Sequence, residues 1–312
     1  MSEPIAFVAR DPDDAPRWLA ELSRAMPRER IVPFAEMAHE ERSKARLAVV
    51  SDPDPADLAA LPSLEWVHAT WAGVERLLPN IPAPLAVTRL VDPQLAETMA
   101  EAVLTAVLWL HRDGPLYARR RAARVWRSER YVRPDERTIG VLGLGALGLR
   151  AAEVLRDRGF RTIGWSRREK AIDGVRCHHG DEGLHEVLGE ADIAVLLLPL
   201  TDHTRHIIGR GALRHAKRGM AVVNFGRGAL VDDDALLAAL DAGHLSHAFL
   251  DVFATEPLPA DHPYWSHERV TVWPHVSGPT DPRSASDMIA ASVRRWRATG
   301  EVPDLVDRAQ GY

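Results

Sequence analysis

A single cysteine, Cys177, in 312 residues excludes an intrachain disulfide and fits a reducing compartment. Long hydrophobic runs are missing as well. No stretch approaches 18 uncharged apolar residues, so no membrane-spanning helix is expected. The short apolar run at residues 5–9 is broken at once by Arg10 and Asp11, which does not suit a secretory leader, and a cytoplasmic location is expected. Charge of one sign is also lacking. Lys and Arg number 39 against 44 Asp and Glu, a net charge of −5, so there is no electrostatic reason to expect nucleic acid or a membrane as partner. No internal repeat is present. What remains is an ordinary globular composition, 46% apolar and 27% charged, in a chain long enough for one large or two medium domains.

The stretch around which the chain is organised is Thr138-Ile-Gly-Val-Leu-Gly-Leu-Gly-Ala-Leu-Gly148. Residues 139–142 read as a short buried strand, and an amphipathic helix follows. Between them Gly143, Gly145 and Gly148 spell G-x-G-x-x-G. The first glycine permits the tight strand-to-helix turn, the second lets a pyrophosphate approach the backbone, and the third lets helix and strand pack closely. Phosphates would sit on the free N–H groups where Ala146 and Leu147 open the helix, at the positive end of its dipole. A strand at 161–165 completes the context that a glycine motif needs to be read as a dinucleotide site.

Strands recur after that turn at 192–198, 220–225, 247–252 and 270–273, with helical segments between most of them. This predicts a doubly wound parallel sheet, the Rossmann arrangement, of roughly six strands. Before it, apolar runs at 4–8, 47–50 and 64–69 alternate with helical segments, the first at 15–25, and predict a smaller flavodoxin-like α/β domain. The expected division is residues 1–92, completed by 284–312, for the substrate, and 93–283 for the dinucleotide. A long helix at 96–111 carries the chain across. The run 119–133 holds seven arginines around Trp126 and reads either as an anion or nucleic-acid patch or as a solvated helix and linker whose arginines pair with carboxylates. The charge balance favours the second.

A site selecting NAD ends its second strand on an acidic residue that holds the ribose hydroxyl. Here that strand runs into Ser166, Arg167 and Arg168, with no Asp or Glu. Two arginines and a serine suit a 2′-phosphate, so NADP(H) is the preferred cofactor, with NAD(H) possible. Four polar residues in three motifs then follow strands of the sheet. Arg227 lies in V-N-F-G-R-G, Asp251 and Glu256 in L-D-V-F-A-T-E-P-L-P, and His275 in W-P-H-V-S-G. An arginine can bind a carboxylate and polarise the neighbouring carbonyl, a histidine can move a proton near pH 7, and a carboxylate bonded to that histidine raises its pKa. Each taken singly also reads as a salt bridge or a satisfied polar residue. Together, at strand ends of one dinucleotide fold, they read as an active site.

These four motifs, in this order and spacing, resemble the D-isomer-specific 2-hydroxyacid dehydrogenases over most of the chain. Trp165-Ser-Arg-Arg168, Pro257-Leu-Pro259 and the terminal V-D-R-A-Q-G-Y (residues 306–312) point within that family to its glyoxylate- and hydroxypyruvate-reducing branch. The resemblance implies Arg227 on the substrate's carboxylate and keto oxygen, His275 as acid/base and Glu256 as its partner. It implies Asp251 and the Phe225 backbone on the nicotinamide carboxamide, and Leu198, Pro199 and Thr204 lining the cofactor. It places the substrate carboxylate on the backbone of Ala72, Gly73 and Val74. It also implies NADPH-dependent reduction of a small 2-oxo acid to the D-2-hydroxy acid, a homodimer, and no metal. Two positions depart from the family pattern. Trp71 stands where a small residue is frequent, and Ser51-Asp-Pro stands where the branch carries an aromatic. Both positions would bear on the substrate pocket. The alternatives are a dehydrogenase for a bulkier 2-oxo acid and a non-catalytic, dinucleotide-sensing protein like the related corepressors.

Overall fold

The computed structural model describes residues 3–308; residues 309–312, the end of the terminal motif, lie outside the described residues. The chain divides into two compact units, one running up to Gln94 and resuming at Thr280, the other spanning Leu95–Pro279.

The first unit is built on five parallel strands, β1 (Ile5–Ala9), β2 (Ile31–Pro33), β3 (Leu47–Ser51), β4 (Trp66–Ala69) and β5 (Ala86–Thr88), in the order β2-β1-β3-β4-β5. That order is the flavodoxin-like one. The central strands are mostly apolar because both of their faces are covered, with Ser51 at the end of β3 and His68 in β4 the exceptions. On one face Ala6, Val8, Ala48, Val50 and Val67 meet Leu58, Leu61, Val74 and Leu77. On the other, Ile5, Phe7, Leu47, Val49 and Trp66 meet Trp18 and Leu22 of the helix Ala15–Ala25, and Ile289, Val293 and Trp296 of the helix Pro282–Thr299. This last helix belongs to the first unit. It starts with Asp281 accepting the Arg283 amide at 3.1 Å and Pro282 in its first turn, and ends at Gly300 in the left-handed region. The edge strands β2 and β5 were not expected. Each has three residues, too few for a periodicity to register.

The second unit carries seven parallel strands, β6 (Thr138–Leu142), β7 (Arg161–Ser166), β8 (Arg176–His179), β9 (Ile193–Leu196), β10 (Ala221–Asn224), β11 (His247–Leu250) and β12 (Val270–Val272). Their order is β12-β11-β10-β9-β6-β7-β8. Counted from β6 this is the 3-2-1-4-5-6 Rossmann order with one further strand, and it reverses between β6 and β9. The expected six strands become seven through β8. Its sequence Arg-Cys-His-His has no apolar run, because an edge strand covered on one side does not need one. Two cores flank the sheet, one lined by Met99, Val103, Ala106 and Val107 of the long helix Pro93–His111. No helix among the described residues is long and apolar enough to cross a membrane.

Candidate active site

The three glycines have three different surroundings. Gly143 has φ +103°, and a Cβ there would lie 2.6 Å from the Leu197 carbonyl oxygen, so both conformation and space demand glycine. At Gly148 a Cβ would lie 1.7 Å from the Gly143 carbonyl oxygen, which is the close helix–strand approach read from the sequence. Gly145 differs. It is exposed, has ordinary dihedrals, and a Cβ there would meet nothing within 4 Å. Neither strain nor the protein's own packing accounts for a glycine at that position. A ligand that must touch the backbone would. The helix Ala146–Asp157 starts directly behind it with no side-chain cap, leaving the amides of its first turn to an anion.

β7 delivers Ser166, Arg167 and Arg168 beside this turn; the Gly143 amide bonds the Trp165 carbonyl at 2.8 Å. The Ser166 hydroxyl donates to the Arg168 carbonyl at 2.6 Å and closes the bend on which both exposed arginines stand. Leu198 and Pro199 follow β9 on the other side of the reversal, Leu198 buried and Pro199 exposed. The Thr204 hydroxyl donates to the Pro199 carbonyl at 2.7 Å and accepts the Thr201 amide at 2.8 Å, so its role is to close this loop. The residues present therefore fit a dinucleotide phosphate at the turn and a further anion at the end of β7.

Arg227, Glu256 and His275 are brought together by the ends of β10, β11 and β12. Asn224, buried at the end of β10, accepts the Gly226 amide at 3.2 Å and donates to the Arg227 carbonyl at 2.9 Å, bracing the loop that carries Arg227. Arg227 itself donates to the Gly226 carbonyl at 2.8 Å. The next residue, Gly228, lies against the Glu256 loop so tightly that a Cβ would fall 1.9 Å from the Phe253 carbonyl carbon. Glu256 Oε1 accepts the Phe253 amide at 2.9 Å, and Oε2 lies 2.8 Å from His275 Nδ1. A carboxylate only accepts, so Nδ1 carries the proton and Nε2 is left for a substrate.

Burial works to raise the Glu256 carboxyl, but the bonds from His275 and Phe253 and the charges of His275 and Arg227 outweigh it and hold the group below the usual range. The bond from Glu256 raises His275, reinforced by the charges of Glu256 and Asp251 against burial and Arg227. This is the tuning that proton transfer near neutral pH requires.

His275 adopts φ +55°, an unusual conformation for a side-chain-bearing residue. Asp251 holds it there. Its carboxylate is fully buried and accepts the Val276 amide at 2.7 Å, the Ser277 amide at 3.0 Å and the Ser277 hydroxyl at 2.5 Å, while its carbonyl accepts the His275 amide at 2.9 Å. In this arrangement Asp251 faces the loop, and any service to a cofactor runs through that loop. Phe225 is buried, its ring stacked on Trp273 at 5.7 Å. Asn224, Ser277 and Gly228 were not singled out from the sequence. A polar residue at the inner end of an apolar strand run was the available signal for Asn224.

In the first unit, Trp71, Ala72 and Gly73 are half-buried and Val74 is buried. Trp71 packs on the core under β4 and β5, and its indole N–H donates to the Gly73 carbonyl at 2.5 Å. It is therefore partly a core residue, and it shapes the turn whose amides were expected to meet a substrate. At the other departure, Asp52 has φ +44° and forms an ion pair with Arg10 at 2.9 Å. In the basic run, the helix Gly114–Ala122 gives way to an irregular segment. Arg120 pairs with Glu129 and Arg133 with Asp135, and Trp126 is entirely exposed.

Comparison with known proteins agrees with this architecture. Residues 104–277 match the model of the D-isomer specific 2-hydroxyacid dehydrogenase NAD binding domain. The chain is 34% identical over 306 residues to the glyoxylate/hydroxypyruvate reductase A of Yersinia enterocolitica, covering 96% of this chain and 97% of that protein. Its counterpart in Serratia proteamaculans is 36% identical over the same length and coverage. Among solved structures, the D-isomer specific 2-hydroxyacid dehydrogenase of Xanthobacter autotrophicus, in complex with NADPH and MES, superposes with a TM-score of 0.93 at 37% identity. The NADPH-dependent glyoxylate/hydroxypyruvate reductase of Sinorhizobium meliloti, in complex with NADP and sulfate, superposes with a TM-score of 0.91 at 31% identity. Both comparisons cover 100% of each chain. With the glycine turn, the arginine loop and the histidine–glutamate pair on one doubly wound sheet, and this similarity along the whole chain, the protein belongs to the D-isomer specific 2-hydroxyacid dehydrogenase family.

Proposed function

We propose that this enzyme reduces a small 2-oxo acid of the glyoxylate or hydroxypyruvate type to the D-2-hydroxy acid, with NADPH as the preferred cofactor. The observation that carries the reading is the His275–Glu256 pair at 2.8 Å, beside the Arg227 loop, in the sheet that bears the glycine turn. The relatives named for glyoxylate and hydroxypyruvate reduction, and the relatives solved with NADPH or NADP, support both the substrate class and the cofactor.

The open face at Gly145 and the first-turn amides behind it receive the pyrophosphate, with Ala146 and Leu147 at the helix start. Ser166, Arg167 and Arg168 receive the 2′-phosphate that an acidic residue would repel. Leu198, Pro199 and Thr204 line the cofactor, with the Phe225 backbone and the Asp251-held loop toward its nicotinamide. When bound, the reduced dinucleotide supplies a hydride to the keto carbon. Arg227 binds the substrate and stabilises negative charge growing on the keto oxygen. Protonated His275 delivers its Nε2 proton to that oxygen, while Glu256 keeps the ring oriented and charged until the transfer. The backbone of Ala72, Gly73 and Val74 receives the substrate carboxylate.

We also propose a homodimer. The helix Pro93–His111 exposes Leu108 and Trp109, and the segment beyond it exposes Tyr117, Val125, Trp126 and Tyr131. Single exposed apolar residues are ordinary, but a series of large ones along one stretch suits a partner. Light scattering should give twice the 34.5 kDa chain mass at micromolar concentration, and a monomer would contradict this. The activity is tested by following NADPH oxidation with glyoxylate and with hydroxypyruvate. Turnover of either supports the reading; cofactor binding without turnover of any 2-oxo acid would favour a dinucleotide-sensing role.

A further inference from the structure

Arg89 follows the last residue of β5, at the carboxyl edge of the first unit's sheet. Open α/β sheets bind their ligands beyond that edge. The alternation of side chains locates Arg89 more closely. Ala86 packs with the cluster of Trp66 and Trp296, Val87 with the opposite cluster, Thr88 accepts the Trp66 indole N–H at 2.8 Å, and Leu90 is again with Trp66. The period of two thus persists from Ala86 to Leu90, and it puts Arg89 on the Val87 face. The cluster on that face holds Ala69, Val74 and Leu77, with Trp71 packed against it. The Leu90 amide donates to the Trp71 carbonyl at 3.0 Å, so Arg89 lies alongside the Trp71–Gly73 turn.

Arg89 is half-buried, yet among the described residues nothing hydrogen-bonds or ion-pairs with its guanidinium. Burial alone acts on the group, pulling it below its ordinary value with no carboxylate to restore it. Asp92, the nearest carboxylate in sequence, is engaged elsewhere. It accepts the Gln94 amide at 2.9 Å and the Ser284 hydroxyl at 2.6 Å. A partly desolvated cation without a counter-charge is unfavourable unless a ligand supplies the charge.

We infer that Arg89 is a further substrate-binding residue, whose guanidinium, beside the Ala72, Gly73 and Val74 backbone, takes the carboxylate of the incoming 2-oxo acid. The inference rests on the 2-oxo acid reading of the site. A guanidinium suits the task because its planar fork matches both carboxylate oxygens, and backbone amides alone carry no full charge.

The test compares Arg89→Met, which keeps the aliphatic stem, with Arg89→Lys, which keeps the charge. NADPH-dependent kcat and KM are measured with glyoxylate and with hydroxypyruvate. Oxamate, a carboxylate that mimics a 2-oxo acid and is not reduced, is titrated by calorimetry into the NADP-loaded protein. Arg89→Met should raise KM for both substrates and weaken oxamate by roughly 10–100-fold, as expected for one charge-assisted bond, with kcat and cofactor affinity little changed. Arg89→Lys should recover part of the loss, which a purely structural role would not predict. Unchanged KM and oxamate affinity would overturn the inference. A rise confined to hydroxypyruvate would overturn it too, by assigning Arg89 to the substituent on the next carbon. If Arg89→Met does not fold, Arg89→Gln carries the same comparison. Absence of wild-type turnover would refute the reductase reading, while the oxamate titration would still decide the role of Arg89.

Discussion

Glu256 reaches His275 from the side of the ring away from the reaction: its Oε2 atom lies 2.8 Å from Nδ1, and Nε2 is left for the substrate. The bond raises His275 above its ordinary pKa. In the proposed reduction protonated His275 is the active form, so the rate should fall as pH rises through the raised value. Glu256→Gln removes the charge that favours the imidazolium. Its alkaline limb should move to lower pH, with the fold intact. The kcat/KM profile against pH checks this, and a limb that stays in place would detach Glu256 from the proton donor.

Gly145 and Gly148 should respond oppositely to the same substitution. Gly148→Ala drives a methyl group into the Gly143 carbonyl, with 1.7 Å available, and should destabilise the protein severely or prevent its folding. Gly145→Ala meets open space and should fold normally, with NADPH affinity lowered at least about tenfold because the methyl group occupies the pyrophosphate's approach. Thermal melts and a cofactor titration separate the two outcomes.

Arg167 and Arg168 stand where an acidic residue would select NAD. NADPH should surpass NADH in kcat/KM by at least about tenfold, or ~1.4 kcal/mol. Replacing both arginines with alanine should weaken NADPH far more than NADH. Equal use of both cofactors by the wild-type enzyme would contradict the assignment.

His68 in β4 and His247 in β11 are buried, and desolvation pulls each down to about 4. The unfolded chain binds these protons near pH 6.5 and the folded one does not until about 4, so stability should fall as pH drops through that window. Each residue can contribute roughly 3 kcal/mol of that loss. Urea unfolding at pH 7 and pH 4 brackets the window, and His68→Leu or His247→Leu should flatten the dependence.

The elements legible in the sequence were those whose burial left a pattern. The helix Ala15–Ala25 repeats Trp18, Leu19 and Leu22 on one face, and β9 throughout and β6 after Thr138 carry no polar side chain because helices cover both sides. The edge strands β2, β5 and β8 left none. Motif spacing brought Arg227, Glu256 and His275 forward. The left-handed backbone of His275, the grip of Asp251 on Val276 and Ser277, and the absence of a partner for Arg89 among the described residues depend on which segments meet in space. Residue type alone does not carry that information. Trp71 was ambiguous for a physical reason: it is half core and half exposed, at the turn that precedes Ala72.

The most direct measurement of the account is the turnover and cofactor affinity of His275→Ala at pH 7. Loss of a positioned proton donor should lower kcat by roughly 10²–10⁴-fold. NADPH affinity should be unchanged, because the proposed phosphate sites, the glycine turn and Arg167 and Arg168, do not include His275. A variant that retains near wild-type kcat would show that another group donates the proton and that the His275–Glu256 pair is not the centre of the reaction.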